Sequence, residues 1–436
     1  MFTPRGLLYP VALVAFLALL GGSWADQVYI SEEQINTVSG RLAESGTRSW
    51  ELGTRAQAIL ELNATRYSVF DGSKLPPPSD VPSDLSDALN PYFSIASGIM
   101  ANWTGKPGDQ PLALMVDGSA ADPASNGATM LLANWTRQRL PDGVADGVDY
   151  LTAAKSQLDF LDSDKVPKTP DGAISHRTDQ LQLWSDFVYM VPPFLAYYGA
   201  LTNDQSKLEE AYNQCKLYRN YLRDENTGLW RHVLLGQSGN DDGFWSTGNG
   251  WAAAGMLRVH ATIKNSAFSK SMKNQMKDLQ KWVEEIHKAM YAQVDSTHIF
   301  PNYVDRGVTE KGNFYDASGT ALVAATVFRA STEIGKSKYL DDAQKSWDAL
   351  FSTTSSQADG ASTFTDYPHF TQDGWLQPVV NPHSYGQEGK QSPEGQAFVV
   401  MMYAARRDWE ENGVAGLKVQ VGLLFAMTVG ALSWLL

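Results

Sequence analysis

Asp186 lies in Leu181-Gln-Leu-Trp-Ser-Asp-Phe-Val-Tyr-Met190, an acid among apolar and aromatic residues. At helical spacing its neighbours are Gln182, Leu183, Tyr189 and Met190, and no basic residue falls within reach along such a helix. Desolvation without a cationic partner raises a carboxyl pKa, so this group would hold a proton near neutral pH and be able to donate it. The same local sequence suits a capping or solvated Asp at a helix start equally well. Pro192 and Pro193 interrupt backbone hydrogen bonding and predict a kink or helix end within two turns of Asp186.

Asp122, in Ala121-Asp-Pro-Ala-Ser-Asn-Gly127, precedes a strong helical segment with Pro123 at its first position, which makes an N-cap the default reading. The sharper reading is a second carboxylate facing Asp186, since sugar chemistry commonly places two acids across the site. Further on, Thr227-Gly-Leu-Trp-Arg-His232 and Gly243-Phe-Trp-Ser-Thr-Gly-Asn-Gly-Trp251 gather three Trp, a His and an Asn around glycines. Gly248 and Gly250 would let the backbone approach a ligand, or would form a tight turn entering a helix. Many of the 13 Trp and 18 Tyr sit beside Gly, Asn or Asp. Sugar rings stack their apolar faces on such rings while their hydroxyls take planar polar partners.

The elements that must position these residues are helical. Helices are expected over 31–62, 84–101, 124–139, 147–162, 180–200, 205–223, 249–264, 268–293, 316–335, 337–352 and 393–409, with no sustained apolar/polar alternation of the kind strands need. Short connections between so many helices suggest hairpins packed around a common axis, an all-α barrel in one domain. The loop from Phe351 to Asn381 is long enough to cover one end of it.

The ends and composition bear on compartment. An apolar run from Leu7 to Leu20 followed by Ser23-Trp24-Ala25 fits a cleaved signal peptide over 1–25, leaving the domain over 26–412. The tail over 413–436 ends in an apolar run from Val421 with small residues before it, an order that fits a glycosylphosphatidylinositol signal with Asn412 as the attachment residue; a retained tail helix is the alternative. Sequons at Asn63, Asn102 and Asn134 agree with secretion and N-glycosylation, so an extracellular protein held at the outer membrane or cell wall is expected. Membrane contact is expected only through that anchor. Cys215 is the only cysteine, which leaves no intramolecular disulfide. A net charge of −13 without any Lys/Arg run argues against nucleic acid as a partner. The scattered His and the absence of HExxH or EF-hand patterns give no support for a metal, and no cofactor is expected.

Taken in order, Asp122-x-x-x-x-Gly127, Asp171-Gly-Ala-Ile-Ser-His-Arg177, Trp184-Ser-Asp186, Tyr189-Met-Val-Pro-Pro-Phe-Leu-Ala196, Gly228-Leu-Trp-Arg-His232 and Phe244-Trp-Ser-Thr-Gly-Asn-Gly-Trp251 resemble the unsaturated glucuronyl and rhamnogalacturonyl hydrolases, glycoside hydrolase families 88 and 105. Asp316-Ala-Ser-Gly-Thr-Ala321 and Ser392-Pro-Glu-Gly-Gln-Ala-Phe398 extend the resemblance, which covers roughly residues 85 to 408. It implies the (α/α)6 barrel of six-hairpin glycosidases and an oligosaccharide substrate. It further implies that Asp186 is general acid and base, Asp122 the second carboxylate, and that His176, Trp184, His232, Trp245, Thr247, Asn249 and Trp251 line the sugar site. The reaction so implied is hydration of a vinyl ether: a proton is added at C4 of a terminal unsaturated uronic acid, water adds at C5, and the hemiketal opens to release the chain. Such a substrate derives from pectin.

One departure stands out. Two residues after the Trp matching Trp245 the family commonly has an Arg that helps hold the substrate, and here Thr247 occupies that place. A hydroxyl cannot supply a bidentate carboxylate contact, and Arg177 or Arg231 are the residues that could substitute. Two other readings compete: a non-catalytic glycan-binding wall protein on the same barrel, and another helical-barrel enzyme such as an endo-mannanase. Mannanases of that kind carry adjacent aspartates in an aromatic setting, a pattern that Asp241-Asp242 matches poorly.

Overall fold

A computed structural model describes residues 30–335, 337–353 and 363–412; the expected signal peptide and apolar tail lie outside them. The helices come in pairs, each outer helix leading into an inner one. They are α1 (Glu32–Ser45) and α2 (Ser49–Asn63), α3 (Ser83–Asn102) and α4 (Gly127–Trp135), and α5 (Tyr150–Asp162) leading through the single turn α6 (Phe187–Met190) into α7 (Pro192–Thr202). Then follow α8 (Gln205–Leu222) and α9 (Ser246–Asn265), α10 (Lys273–Tyr291) and α11 (Ala317–Ile334), and α12 (Leu340–Phe351) with α13 over 393–412. This is the (α/α)6 barrel.

Sequence decides which member of each pair lies inside. In α9 every residue but Lys264 is buried, and its small residues, Ala252, Ala253, Ala254 and Gly255, suit contact on all sides. In α10 Leu279, Trp282, Val283, Ile286 and Met290 form one buried stripe, whereas Lys281, Glu284 and Lys288 face solvent. Inner helix α9 packs between α7 and α11, α7 meets α4, and α2 meets α3 and the turn before α4. The ring is closed by α13, where Arg407 donates to the carbonyls of Glu61 and Leu62 on α2 and Phe398 packs edge-on against Trp251 of α9. Arg329 of α11, buried, is held at 2.7 Å by both Glu61 of α2 and Asp408 of α13.

Three sequence expectations need correction. The segment 31–62 is two helices, because Glu51 accepts hydrogen bonds from the backbone of Thr47 and Arg48 and starts a new helix after the extended Gly46. The segment 180–200 is not continuous helix. Leu183–Trp184 is strand β1, paired antiparallel with β2 (Val233–Leu234), and Pro192 and Pro193 open α7, where a missing N–H costs nothing. A hairpin of β3 (Val379–Asn381) and β4 (Ser384–Gly389) follows the long loop. Strands of two to six residues are too short to show an alternating pattern.

Sequon residues Asn63 and Asn102 are exposed, while Asn134 is half-buried and its Thr136 buried. Asn412 is exposed at the end of α13. Cys215 is buried, where desolvation raises its thiol pKa.

Candidate active site

An antiparallel outer-to-inner order sends every inner helix in the same direction, so all six begin at one end of the barrel. Trp50 stands in the first turn of α2, Asp122 five residues before α4, Asp186 before α6, Trp245 before α9, Asp316 before α11 and Glu394 in the first turn of α13. All but Asp316 line one cleft of about 270 Å³, together with His176, Arg177, Trp184, Met190, His232, Asn381, Pro382, His383 and Tyr385. That is near the small end of clefts that hold small ligands, roughly 300–1,000 Å³, and suits about one sugar ring. A larger groove of about 700 Å³ runs beside it between α2 and α3, past Ser49 and Asp117.

Asp122 and Asp186 each face a histidine. Asp122 caps nothing with its side chain, and its Oδ1 lies 3.1 Å from His176 Nε2. Asp186, likewise free of any capping bond, has Oδ2 3.4 Å from His232 Nε2. This is a charge contact without hydrogen-bond geometry, and His232 Nε2 has no hydrogen-bond partner among the described residues. Both carboxylates keep 14% of their side chains exposed towards the cleft. Between them stands Trp184, stacked on His176 at 4.9 Å and edge-on to His232 at 5.4 Å. Its strand pairing with Val233 fixes that position.

The tertiary setting reverses the expected ionisation of Asp186. Burial pushes its carboxyl up, but His232, and His176 behind it, outweigh that and hold it below the ordinary value. His232 is buried, which lowers its pKa, but Asp186 and Asp241 more than compensate and hold the ring protonated above its ordinary range. His232 Nδ1 donates to Asp241 at 2.9 Å, and Tyr303 donates its hydroxyl to the same Asp241 oxygen at 2.5 Å. Two carboxylates thus flank one imidazole. Asp242, the neighbouring acid, points to solvent 4.0 Å from Arg231. The adjacent aspartates therefore do not act as a pair.

Glu394 is the third carboxyl of the cleft. Trp50 donates its indole N–H to Oε1, and the buried Oε2 meets no partner. Burial foremost, then the charges of Glu51, Asp186 and Asp122, raise Glu394 well above the ordinary carboxyl range.

Aromatic rings form the walls. Trp245, its indole N–H on Asn302 at 2.8 Å, lies tilted against His232 at 4.4 Å; Tyr385 from β4 meets the other edge of His232 at 4.4 Å. Arg177 brings a guanidinium whose one ion pair among the described residues is with the exposed Asp179 at 3.4 Å. Gly118, at φ +81°, leaves room for it, since a Cβ there would sit 3.0 Å from Nη2.

Three residues expected in the sugar site are elsewhere. Thr247 is fully buried and donates to Asp316 at 3.2 Å; Asp316 also accepts from the backbone of Ser318, Gly319 and Val380, tying α9, α11 and β3 together. Asn249 is fully buried and bonds both the N–H and carbonyl of Trp230, which anchors the segment carrying His232. Trp251 packs in the core on Tyr189 at 4.4 Å. Each lies inside α9 beyond its first residue, where the fold leaves no route to the cleft. Gly248 and Gly250 serve helix packing, since a Cβ would meet Ser185 at 2.4 Å and Leu322 at 2.8 Å respectively. Arg231 is not in the cleft; it pairs with Asp224 at 3.1 Å and lies over Phe244.

Sequence reasoning missed Trp50, Met190, Asn381, Pro382, His383, Tyr385 and Glu394. The first-turn position of Trp50 and Glu394 on inner helices was the available signal. Among the described residues no group of three or more His, Cys, Asp or Glu side chains is arranged to hold a metal ion.

A family model described as Glycosyl Hydrolase Family 88 matches residues 145–377, more than half of the chain. The fold is similar to the crystal structure of a possible member of the GH105 family from Klebsiella pneumoniae subsp. pneumoniae MGH 78578, with TM-score 0.61 and 17% identity over 93% of this chain and 95% of that one. It is also similar to an unsaturated glucuronyl hydrolase specific for heparin (TM-score 0.55, 13% identity, 87% and 96% covered). A GH76A alpha-1,6-mannanase from Salegentibacter sp. HEL1_6 has the same overall fold (TM-score 0.54, 12% identity, 86% and 99% covered).

Proposed function

Because the chain belongs to Glycosyl Hydrolase Family 88, we propose that it releases a terminal 4,5-unsaturated uronic acid from pectin-derived rhamnogalacturonan oligosaccharides by hydrating the vinyl ether. The observation that carries this reading is one cleft, at the common starting end of the inner helices, in which Asp186 and Asp122 each face a histidine and Trp184 stands between them.

Each part of the cleft has a use in that reaction. Trp184, Trp245 and Tyr385 offer ring faces and edges for the flat, unsaturated sugar. Arg177 supplies the charge that the uronate carboxylate needs, in place of the Arg missing at Thr247. Asp186, ionised beside His232, takes a proton from the water that adds at C5. The imidazolium of His232 beside it stabilises the carboxylate while it waits. Protonation at C4 needs an acid in the same cleft, and Asp122 and Glu394 are the other carboxyl side chains that line it. The hemiketal then opens and the remaining chain leaves.

The test is loss of the ultraviolet absorbance of the C4–C5 double bond with an unsaturated rhamnogalacturonan disaccharide. Wild type should bleach it and Asp186→Asn should be slower by about 10²–10⁴-fold, the usual contribution of a positioned acid or base. Wild-type inactivity on every unsaturated uronide tried would refute the reading.

A further inference from the structure

Outer helices run opposite to inner ones, so α3 ends where α2 begins, at the end of the barrel that holds the cleft. Between the start of α2 and the last turns of α3 lies the groove of about 700 Å³, with the segment 112–117 along its side. Ser49 is the neighbour of Trp50, and Gly118 lies against Arg177, both residues of the cleft. The hydrogen bond from the Ser49 hydroxyl to Asp117 is therefore the ridge between cleft and groove. Beyond it the floor is apolar, with Ile95, Ile99 and Leu114 buried beneath and Val116 95% exposed at the edge. In a chain of net charge −13 this lining carries two guanidinium groups, Arg48 and Arg55, against the single carboxylate of Asp117. Neither arginine has an ion pair among the described residues; Arg48 is exposed, and half-buried Arg55 reaches the carbonyl of Ala43 at 3.5 Å. Asp117 is already engaged, accepting from Ser49 and from the N–H of Ser119 at 3.1 Å. Seven residues apart, the two arginines share one face of α2 about 10 Å from each other along its axis.

Resting on the hydrolase reading above, we propose that this groove holds the leaving chain of an acidic oligosaccharide, whose carboxylates pair with Arg48 and Arg55. The terminal unsaturated ring occupies the cleft, the next ring crosses the Ser49–Asp117 ridge, and the following rings lie on the apolar floor. If the cleft of about 270 Å³ suits one ring, the groove suits about two to three. The spacing of the arginines is on the scale of two rings, which matches a chain that carries a carboxylate on every second sugar. Guanidinium groups without a protein partner are free to form bidentate contacts with such carboxylates. The site ends near Trp103. There the groove passes into a second one, of about 340 Å³, in which Asp109, Asp149 and Asp159 outnumber Lys106 and Lys155, a lining that repels further carboxylates. The cleft thus selects the ring that reacts, and the groove selects a long acidic chain over a short one.

The experiment compares unsaturated rhamnogalacturonan disaccharide with the hexasaccharide, on the full chain expressed without N-glycosylation so that Asn102, which lines the groove, carries no sugar of its own. Wild type should show a KM about 10–100-fold lower for the hexasaccharide, the effect of one charge-assisted contact or more. Arg48→Gln combined with Arg55→Gln should erase most of that ratio and leave the disaccharide unchanged, while the corresponding Lys pair keeps part of it. Gly98→Trp obstructs the groove without touching charge: Gly98 is exposed in its lining, and a Cβ there meets nothing within 4 Å. It too should remove the length preference. Equal KM for both lengths in wild type, or a preference that survives these variants, overturns the proposal. A second readout is independent of turnover: calorimetric binding of a saturated rhamnogalacturonan hexasaccharide, expected to weaken with salt and to fall at least about tenfold in the double Gln variant. Equal binding by both proteins overturns the proposal even where hydrolase activity is found. Arginine-dependent binding by a wild type inactive on all unsaturated uronides refutes the hydrolase reading and leaves the groove as a site for acidic oligosaccharide.

Discussion

Replacing Asp241 with Asn tests the chain of charge from Asp241 through His232 to Asp186. Asn keeps an acceptor for His232 Nδ1–H and for the Tyr303 hydroxyl, so geometry is retained while one charge is removed. At 2.9 Å the Asp241–imidazolium attraction is about 6 kcal/mol with an effective dielectric constant of about 20, against about 5 kcal/mol for Asp186 at 3.4 Å, both before dehydration costs. The substitution therefore removes about half of the attraction that keeps His232 protonated against burial. A ring that loses its proton more easily holds Asp186 down less, and the Asp186 carboxyl moves up. Activity that requires ionised Asp186 then fails at higher pH. An opposite charge close by moves a carboxyl by roughly one to three pH units, so a displacement of about one unit is expected, which lowers kcat/KM about tenfold on the acid limb below both pKa values and changes it little near pH ~8. The assay is the pH profile of kcat/KM for both proteins. Superimposable acid limbs would refute the coupling. Stability follows the same pair. His232, raised in the folded state, contributes fully below its unfolded pKa and loses that as pH rises through the folded value; Asp241, lowered, contributes above its unfolded pKa and loses that as pH falls. The melting difference between wild type and Asp241→Asn should thus be widest between about pH 4 and pH 6.5.

Arg177→Ala should raise KM by about 10–100-fold with kcat nearly kept, the loss of one charge-assisted contact to a uronate; an unchanged KM would remove Arg177 from substrate binding. Thr247→Val leaves a buried Asp316 oxygen short of a donor and should cost about 1–3 kcal/mol in urea unfolding without altering kcat/KM at 25 °C. Arg329→Met strands Glu61 and Asp408 at the centre of α2, α11 and α13 and should cost about 3–5 kcal/mol, measured by chemical denaturation; the triple change with Glu61→Gln and Asp408→Asn should recover much of it.

The corrections share one cause. The resemblance implies Thr247, Asn249 and Trp251 in the sugar site, but only the first residues of an inner helix reach the cleft and these lie deeper in α9. Glu394 and Trp50 occupy the first-turn position, and Glu394 stands in the Ser392–Phe398 segment that carries the resemblance, but an isolated Glu or Trp there gives no sign by itself of facing the cleft. His383 and Tyr385 arrive on a hairpin whose strands are too short to leave a period.

The sequence by itself determined the helical barrel and the family, and it singled out Asp122, Asp186, His176, His232, Trp184 and Trp245, which the fold brings to one cleft, because hydrophobic period and ordered motifs are properties of neighbours along the chain. The direction in which the Asp186 and His232 pKa values move was decided only by the tertiary structure. Asp186 reads as a lone acid among apolar residues, but folding sets it against a histidine 46 positions away, held charged by Asp241. Glu394, 208 positions from Asp186, is pushed towards the neutral form by burial first and then by carboxylates brought near it from elsewhere in the chain. Charge acts through space and burial, so these shifts exist only once the helix ends have been brought together.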